Sequence, residues 1–242
     1  MRDDGRVAAR RGRYAALAAA LALTLAGCSD ASPDSPPTGV DELVIPTPSP
    51  DPADFVRRID NPWLPYAAGK VWHYTLRLDD LDYGRSVTVL DDPEQVAGVD
   101  TTVVETLLVP AVDGVAHGTP TRTRDYYAQD RQGNVWWFGR EGVWVAGADG
   151  AEAGLAMPAT PRVGDGWRAA YAPGVVDTRV TVETDEQLVS TPAGRYSAAL
   201  GLDVSDPLQP DTGRRDFYVR GVGLVEEVST EGPVYVAELT TD

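Results

Sequence analysis

The sequence predicts an all-β protein, mainly antiparallel, built as one strongly curved sheet or half-open β-barrel of about 10–12 strands with few or no helices. Three observations carry that prediction. Apolar and polar residues alternate with period two along Val71 to Leu78, Val176 to Glu183 and Tyr196 to Val204, as strands buried on one face require. Such runs recur at intervals of roughly 8–14 residues, joined by Gly, Pro and Asp turns. No segment beyond residue 27 carries the 3.6-residue stripe of an amphipathic helix. A sheet with so many strands curls, and its concave face is either filled by side chains or left as a cavity.

Residues 1–27 read as a lipoprotein signal peptide. Arg10-Arg11-Gly12-Arg13 is a basic start, and Tyr14 to Ala26 is an apolar run too short to span a bilayer comfortably. The run ends Leu25-Ala26-Gly27-Cys28, which resembles the lipobox of bacterial lipoproteins. That resemblance implies diacylation of the Cys28 thiol, cleavage before it, and a lipid-anchored protein facing the extracytoplasmic side of the cell membrane. Each buried methylene contributes about 0.8 kcal/mol, so two acyl chains hold where one would not. Cys28 is the only cysteine, so no internal disulfide can form.

Residues 28–54 follow as the lipidated Cys and a tether. Seven prolines stand among Ser, Thr and Asp between 29 and 54, a composition too poor in apolar area to offset the entropy of folding. Residues 55–242 then form a single β-rich domain. Asn61-Pro62-Trp63-Leu64-Pro65-Tyr66 is a rigid aromatic lead-in. Val71 to Leu78 is the first long strand, with Trp72, Tyr74, Leu76 and Leu78 on one face. Arg85 to Leu90 and Thr101 to Val109 continue the pattern. Thr121 to Gln129 and Val135 to Gly139 make a hairpin around the turn Asp130-Arg131-Gln132-Gly133-Asn134, and Gly142 to Val145 adds a short strand. Between Gly147 and Asp165 the alternation fails, which predicts a long connection in which Leu155, Met157 and Trp167 pack inward. Strands return through Arg215 to Arg220, Gly223 to Ser229 and Val234 to Leu239.

The same residues narrow the function. A formal charge of −16 becomes −19 once residues 1–27, with five Arg and two Asp, are removed; such a surface repels nucleic acid and anionic headgroups. The two histidines, His73 and His117, sit on a polar strand face and in a Gly-rich loop, and the one thiol is assigned to the anchor, so no metal site and no cofactor are expected. Asp130 to Asn134 lacks the alternating carboxylates of a calcium loop. Glu226 and Glu227 are adjacent on a strand and point to opposite faces, which weighs against their acting as a hydrolase pair. The aromatics remain. Val135 and Trp137 face one side of their strand, Trp136 and Phe138 the other, and each side is either packed core or the lining of a groove. The candidate ligand-lining set is Trp72, Tyr74, Trp136, Phe138, Met157 and Trp167.

Four groups of residues also resemble an uncharacterised family of bacterial exported lipoproteins. They are Asn61-Pro62-Trp63-Leu64-Pro65 with Gly69-x-x-Trp72-x-Tyr74, Asp125 to Asp130 with Gly133 to Gly139, Gly154-x-x-Met157-Pro158-Ala159 with Val163-Gly164-Asp165, and Tyr218-x-x-Gly221-Val222-Gly223-Leu224-Val225. The resemblance implies no activity, cofactor or catalytic residue. The expected architecture is similar to that of lipoprotein carriers with a curved, half-open barrel. The function expected is non-catalytic binding of a lipophilic or envelope ligand, with a structural or protein-interaction role as the alternative and a carboxylate-dependent hydrolase third.

Overall fold

A computed structural model describes residues 51–241. The expected signal peptide, Cys28 and the tether through Pro50 lie outside the described residues. Asp51 caps a short 3-10 turn, Pro52–Asp54, by accepting from Ala53 N at 2.9 Å, and Phe55 opens the first strand.

Sixteen strands follow. They are β1 (Phe55–Val56), β2 (Val71–Leu78), β3 (Leu81–Val89), β4 (Glu94–Val96), β5 (Val99–Val112), β6 (Val115–Ala116), β7 (Thr121–Asp130) and β8 (Val135–Arg140). The second half holds β9 (Trp144–Val145), β10 (Gly154–Met157), β11 (Gly166–Arg168), β12 (Arg179–Thr191), β13 (Gly194–Ser205), β14 (Arg214–Val219), β15 (Gly223–Ser229) and β16 (Tyr235–Thr241). Every pairing is antiparallel, and twelve strands form one path in the order β10-β8-β7-β5-β3-β2-β16-β15-β14-β13-β12-β11. The C-terminal strand β16 pairs with β2, so the two halves of the chain join side by side.

The path curls until its two edges meet. Glu152 N, just before β10, donates to Tyr171 O beyond β11 at 2.9 Å in an isolated bridge, and no longer ladder joins the edges. The sheet is therefore a half-open barrel. At this seam Gly154 leaves no room for a side chain, since a Cβ there would lie 2.2 Å from Ala169 O. The long connection expected between Gly147 and Asp165 is corrected here, because Gly154–Met157 is a strand paired with the edge of β8. Its Gly-Leu-Ala-Met sequence has no β-branched residue and no alternation; the free edge of β8 organises it, and local preference does not.

Turn chemistry sets the register. The β4–β5 and β5–β6 hairpins turn on Ala97-Gly98 and Asp113-Gly114, with positive φ at both central residues of each, the conformation that matches the twist of the flanking strands. The β12–β13 hairpin carries three irregularities and bends back across the sheet, so that Ala193 N donates to Leu239 O on β16 at 3.0 Å.

The core is layered inside and outside the barrel wall. On the outer face of β7 and β8, Tyr126, Ala128 and Phe138 pack under Phe55, Val96 and Val99, with Phe55 meeting the Phe138 ring edge-on at 5.2 Å. Inside, one end is stopped by the lead-in: Trp63 and Leu64 pack against Val135, Met157, Trp167, Val182 and Leu200. Asn61, 2% exposed, clasps that stopper in place. Its amide donates to Gly133 O (2.9 Å) and Pro158 O (3.1 Å) and accepts from Trp63 N (2.8 Å) and Leu64 N (3.3 Å). Gln129 Oε1 accepts from Asp60 N and Asn61 N, and Gly221 N donates to Pro62 O.

Candidate functional site

Above the stopper the barrel encloses a cavity of about 420 Å³. Strand parity builds its lining. Residues directly opposite one another on neighbouring strands share a face, so the pairs Tyr74–Arg85, Val104–Asp125 and Asp216–Glu227 all point inward. Exposure falls along β7 from Thr121 through Thr123 to Asp125, so the cavity opens at the Thr121 end and is blocked at the opposite end by Leu64 and Tyr66.

Apolar wall comes from Leu76, Val87, Val104 and Leu108 on one side and from Val180, Leu202 and Val204 on the other. A charged belt crosses between them. On β3, Arg85 Nη1 donates to Glu227 Oε2 of β15 and to the Tyr235 hydroxyl of β16 (3.1 Å), and that hydroxyl donates to the same Glu227 oxygen (2.9 Å). Arg214 Nε donates to Asp216 Oδ1 at 2.8 Å and lies 3.7 Å from Glu227 Oε1. From the facing wall, Arg140 Nε and Nη2 donate to the two carboxylate oxygens of Asp125, at 2.8 and 3.0 Å. Three arginines thus balance three carboxylates. The Arg85 guanidinium also lies 4.2 Å above the Tyr74 ring, a cation–π contact.

Burial and pairing pull these groups in different directions. Burial pushes the Asp216 carboxyl up to about 6 against the pull of Arg214, with the neighbouring Glu227 charge adding to the rise. Burial would raise Glu227 too, but Arg85 and Arg214 together outweigh it and hold its carboxyl below the ordinary value. Asp125 is raised by burial despite Arg140. Tyr66 lines the cavity from the stopper, edge-on to Trp72 (5.8 Å) and Tyr127 (5.2 Å). Burial, then the charges of Asp125 and Glu227, raise its hydroxyl, and burial likewise raises Tyr127 and Tyr218. All three stay neutral donors.

Of the six residues singled out from sequence, Trp72 and Tyr74 line the cavity, and each ties the wall to β15 or its approach by donating to Val222 O (2.7 Å) and Leu224 O (2.9 Å). Trp136 and Phe138 lie on the opposite face of β8, in the outer cluster; Trp136 Nε1 donates to Asp130 Oδ2. Met157 and Trp167 pack against Trp63 and Leu64 beneath the cavity floor. The charged belt was not singled out at all. Its sequence signal is a charge at the parity of buried residues, as in Arg85 with Val87 and Val89, or Asp125 with Tyr127.

Two weighed alternatives also find their places. Asp130 turns its carboxylate inward on its own hairpin, accepting from Gln132 N, Asn134 N, Asn134 Nδ2 and Trp136 Nε1, and so acts as the organiser of the turn. Glu226 and Glu227 do face opposite sides, but the strand pairing sets Glu227 beside Asp216.

No protein-family model matches the chain, and no curated protein matches it. Among solved structures the chain is similar to a candidate lipoprotein of Parabacteroides distasonis, at 13% identity and a TM-score of 0.35, over 74% of this chain and 96% of that one. At those values the likeness carries no argument about fold or activity. Among the described residues no helix is long and apolar enough to cross a membrane.

Proposed function

We propose that this is a lipid-anchored, extracytoplasmic envelope protein whose barrel is a non-catalytic binding module for one small amphipathic molecule. The observation that carries the reading is the cavity. Its volume of about 420 Å³ lies in the lower part of the range of small-molecule sites, and its lining of apolar wall with a few convergent polar groups is their usual composition. That size suits a single chain or ring system and is too small to enclose a two-chain lipid. Absence of catalysis is supported by the carboxylates, since Asp125, Asp216 and Glu227 are each held by an arginine. The anchor rests on the lipobox ending at Cys28, and the exported family it resembles is consistent with that placement.

Native mass spectrometry of the full protein purified from its own host tests the reading, together with displacement of a fluorescent fatty-acid probe. A stoichiometric small-molecule adduct, or saturable probe binding, is the expected result. A bare mass with no probe binding would end the carrier reading. The protein-interaction alternative has its own observation. Leu81, Val112 and Val115 at strand ends and Leu208 and Val234 in the connections are exposed at the open end of the barrel, where a partner would meet them.

A further inference from the structure

The cavity's hydrogen-bond inventory indicates what kind of polar end its ligand carries, an inference that rests on the binding reading above. Every carboxylate is ion-paired: both oxygens of Asp125 take bonds from Arg140, Asp216 accepts from Arg214 at Oδ1, and Glu227 accepts from Arg85 and Tyr235 at Oε2, which leaves two oxygens, Asp216 Oδ2 and Glu227 Oε1, against a larger number of free donors. Donors are left over. Among the described residues Arg214 uses only Nε, so both of its terminal nitrogens have no hydrogen-bond partner, and Arg140 leaves Nη1 free. The Tyr66, Tyr127 and Tyr218 hydroxyls likewise have no hydrogen-bond partner among the described residues. All of these side chains line the same cavity.

Arg140 on β8 and Arg214 on β14 come from facing walls and converge at the opening, where both also border a second, outer pocket with Gly213, Ser229 and Tyr235. Their side chains are 40% and 39% exposed, so an entering ligand meets them first. We infer that the cavity takes an amphipathic monoanion, its carboxylate or phosphate bound between Arg140 and Arg214 and reached by the tyrosine hydroxyls. The apolar remainder lies against Val87, Val104 and Leu202. A guanidinium fork matches either oxyanion, and neutral tyrosines donate to it without adding charge. Within the cavity a cationic head would meet arginines and only ion-paired carboxylates, the acids Asp211 and Glu231 bordering the outer pocket instead. An uncharged head would leave the guanidinium nitrogens unused.

The test uses the full chain with Cys28→Ser, a change outside residues 51–241, and four probes with one alkyl body: octanoate, octyl phosphate, octanol and octylamine, titrated calorimetrically at low ionic strength. At least one anion should bind about tenfold or more tighter than octanol and octylamine, and octanoate against octyl phosphate tells which oxyanion the site prefers. Arg214→Met should remove that preference, read as the ratio of anion to octanol affinity within the same variant. Arg140→Gln, at the more exposed arginine, serves as the second variant if the first does not fold, and should reduce the preference at least severalfold. Equal binding of all four probes would overturn the anion assignment and leave the binding reading standing. No binding by any probe would overturn both.

Discussion

Replacing Asn61 by Asp changes one atom in the clasp that seats the stopper, and its cost follows from four hydrogen bonds. The oxygen that accepts from Trp63 N and Leu64 N is retained, whereas the nitrogen that donates to Gly133 O and Pro158 O becomes an oxygen facing two carbonyl oxygens. Each lost bond costs about 1 kcal/mol, and each buried carbonyl left without a donor about 1–3 kcal/mol more. At neutral pH the variant also carries an uncompensated charge at a position only 2% exposed, a change of about 3–5 kcal/mol in comparable settings. The introduced carboxyl therefore has a folded-state value raised above its unfolded one. Its penalty is absent below the unfolded value near pH 4 and grows as the pH climbs through the raised folded value, because a protonated carboxyl still donates one of the two bonds. Urea unfolding followed by tryptophan fluorescence at pH 7 and pH 4.5 should give a loss of about 3–5 kcal/mol at the higher pH and about 1–2 kcal/mol at the lower. A loss below about 1 kcal/mol at pH 7, or one that ignores pH, would mean that the clasp does not hold the stopper.

Other perturbations address the seam, the belt and the anchor. Gly154→Ala sets a methyl 2.2 Å from Ala169 O, and should cost about 1–3 kcal/mol in urea titrations and speed amide exchange at Glu152, whose N–H donates across the seam; an unchanged midpoint would show that the edges do not meet there. Asp216, raised to about 6 by burial and Glu227 against Arg214, stabilises the fold below pH 4 and loses that contribution as the pH rises toward 6 and beyond. Asp216→Asn should thus gain on the parent between pH 4 and 7 by up to about 3 kcal/mol, and parallel stability curves would contradict it. Arg85→Met leaves Glu227 buried with its main partner gone and should cost about 3–5 kcal/mol, while Arg85→Met with Glu227→Leu should recover most of that; a double variant no better than the single one would argue against the pair. Cys28→Ser should release the protein into the medium, which cell fractionation reads directly, and retention at the membrane would remove the lipid anchor from the account.

The fold was legible in the sequence because its signals are local. Period-two alternation in Val71 to Leu78 placed Trp72, Tyr74 and Leu76 on the buried face, where they are. The hairpin at Asp130 to Asn134 and the rigid lead-in from Asn61 were read from residues within a few positions of one another. The short strands are the exceptions: Glu94–Val96, Val115–Ala116 and Gly166–Arg168 hold too few residues to show alternation, and Gly154–Met157 is a strand only because the edge of β8 lies beside it, with nothing within that stretch to announce an edge elsewhere. The candidate site was half legible. Aromatic residues on strands were visible, but Trp136 and Phe138 turned out to pack outside the wall and Met157 and Trp167 below the floor, since parity tells which residues share a face and does not tell which face is concave.

By itself, then, the sequence determined a β protein, through strands whose alternation and turns admit little else, and it carries a lipobox-like run ending in the single Cys28 and a proline-rich stretch after it. Only the tertiary structure decided what the interior holds. Arg85, Arg140 and Arg214 come from β3, β8 and β14, and Asp125, Asp216 and Glu227 from β7, β14 and β15; their meeting depends on strand order and curl. Pairing of β16 with β2 and the single Glu152–Tyr171 bridge hold that curl, and both are long-range events with no local sequence signature. Charges that would read as solvated surface on a flat sheet become, inside a curled one, a desolvated belt around a cavity.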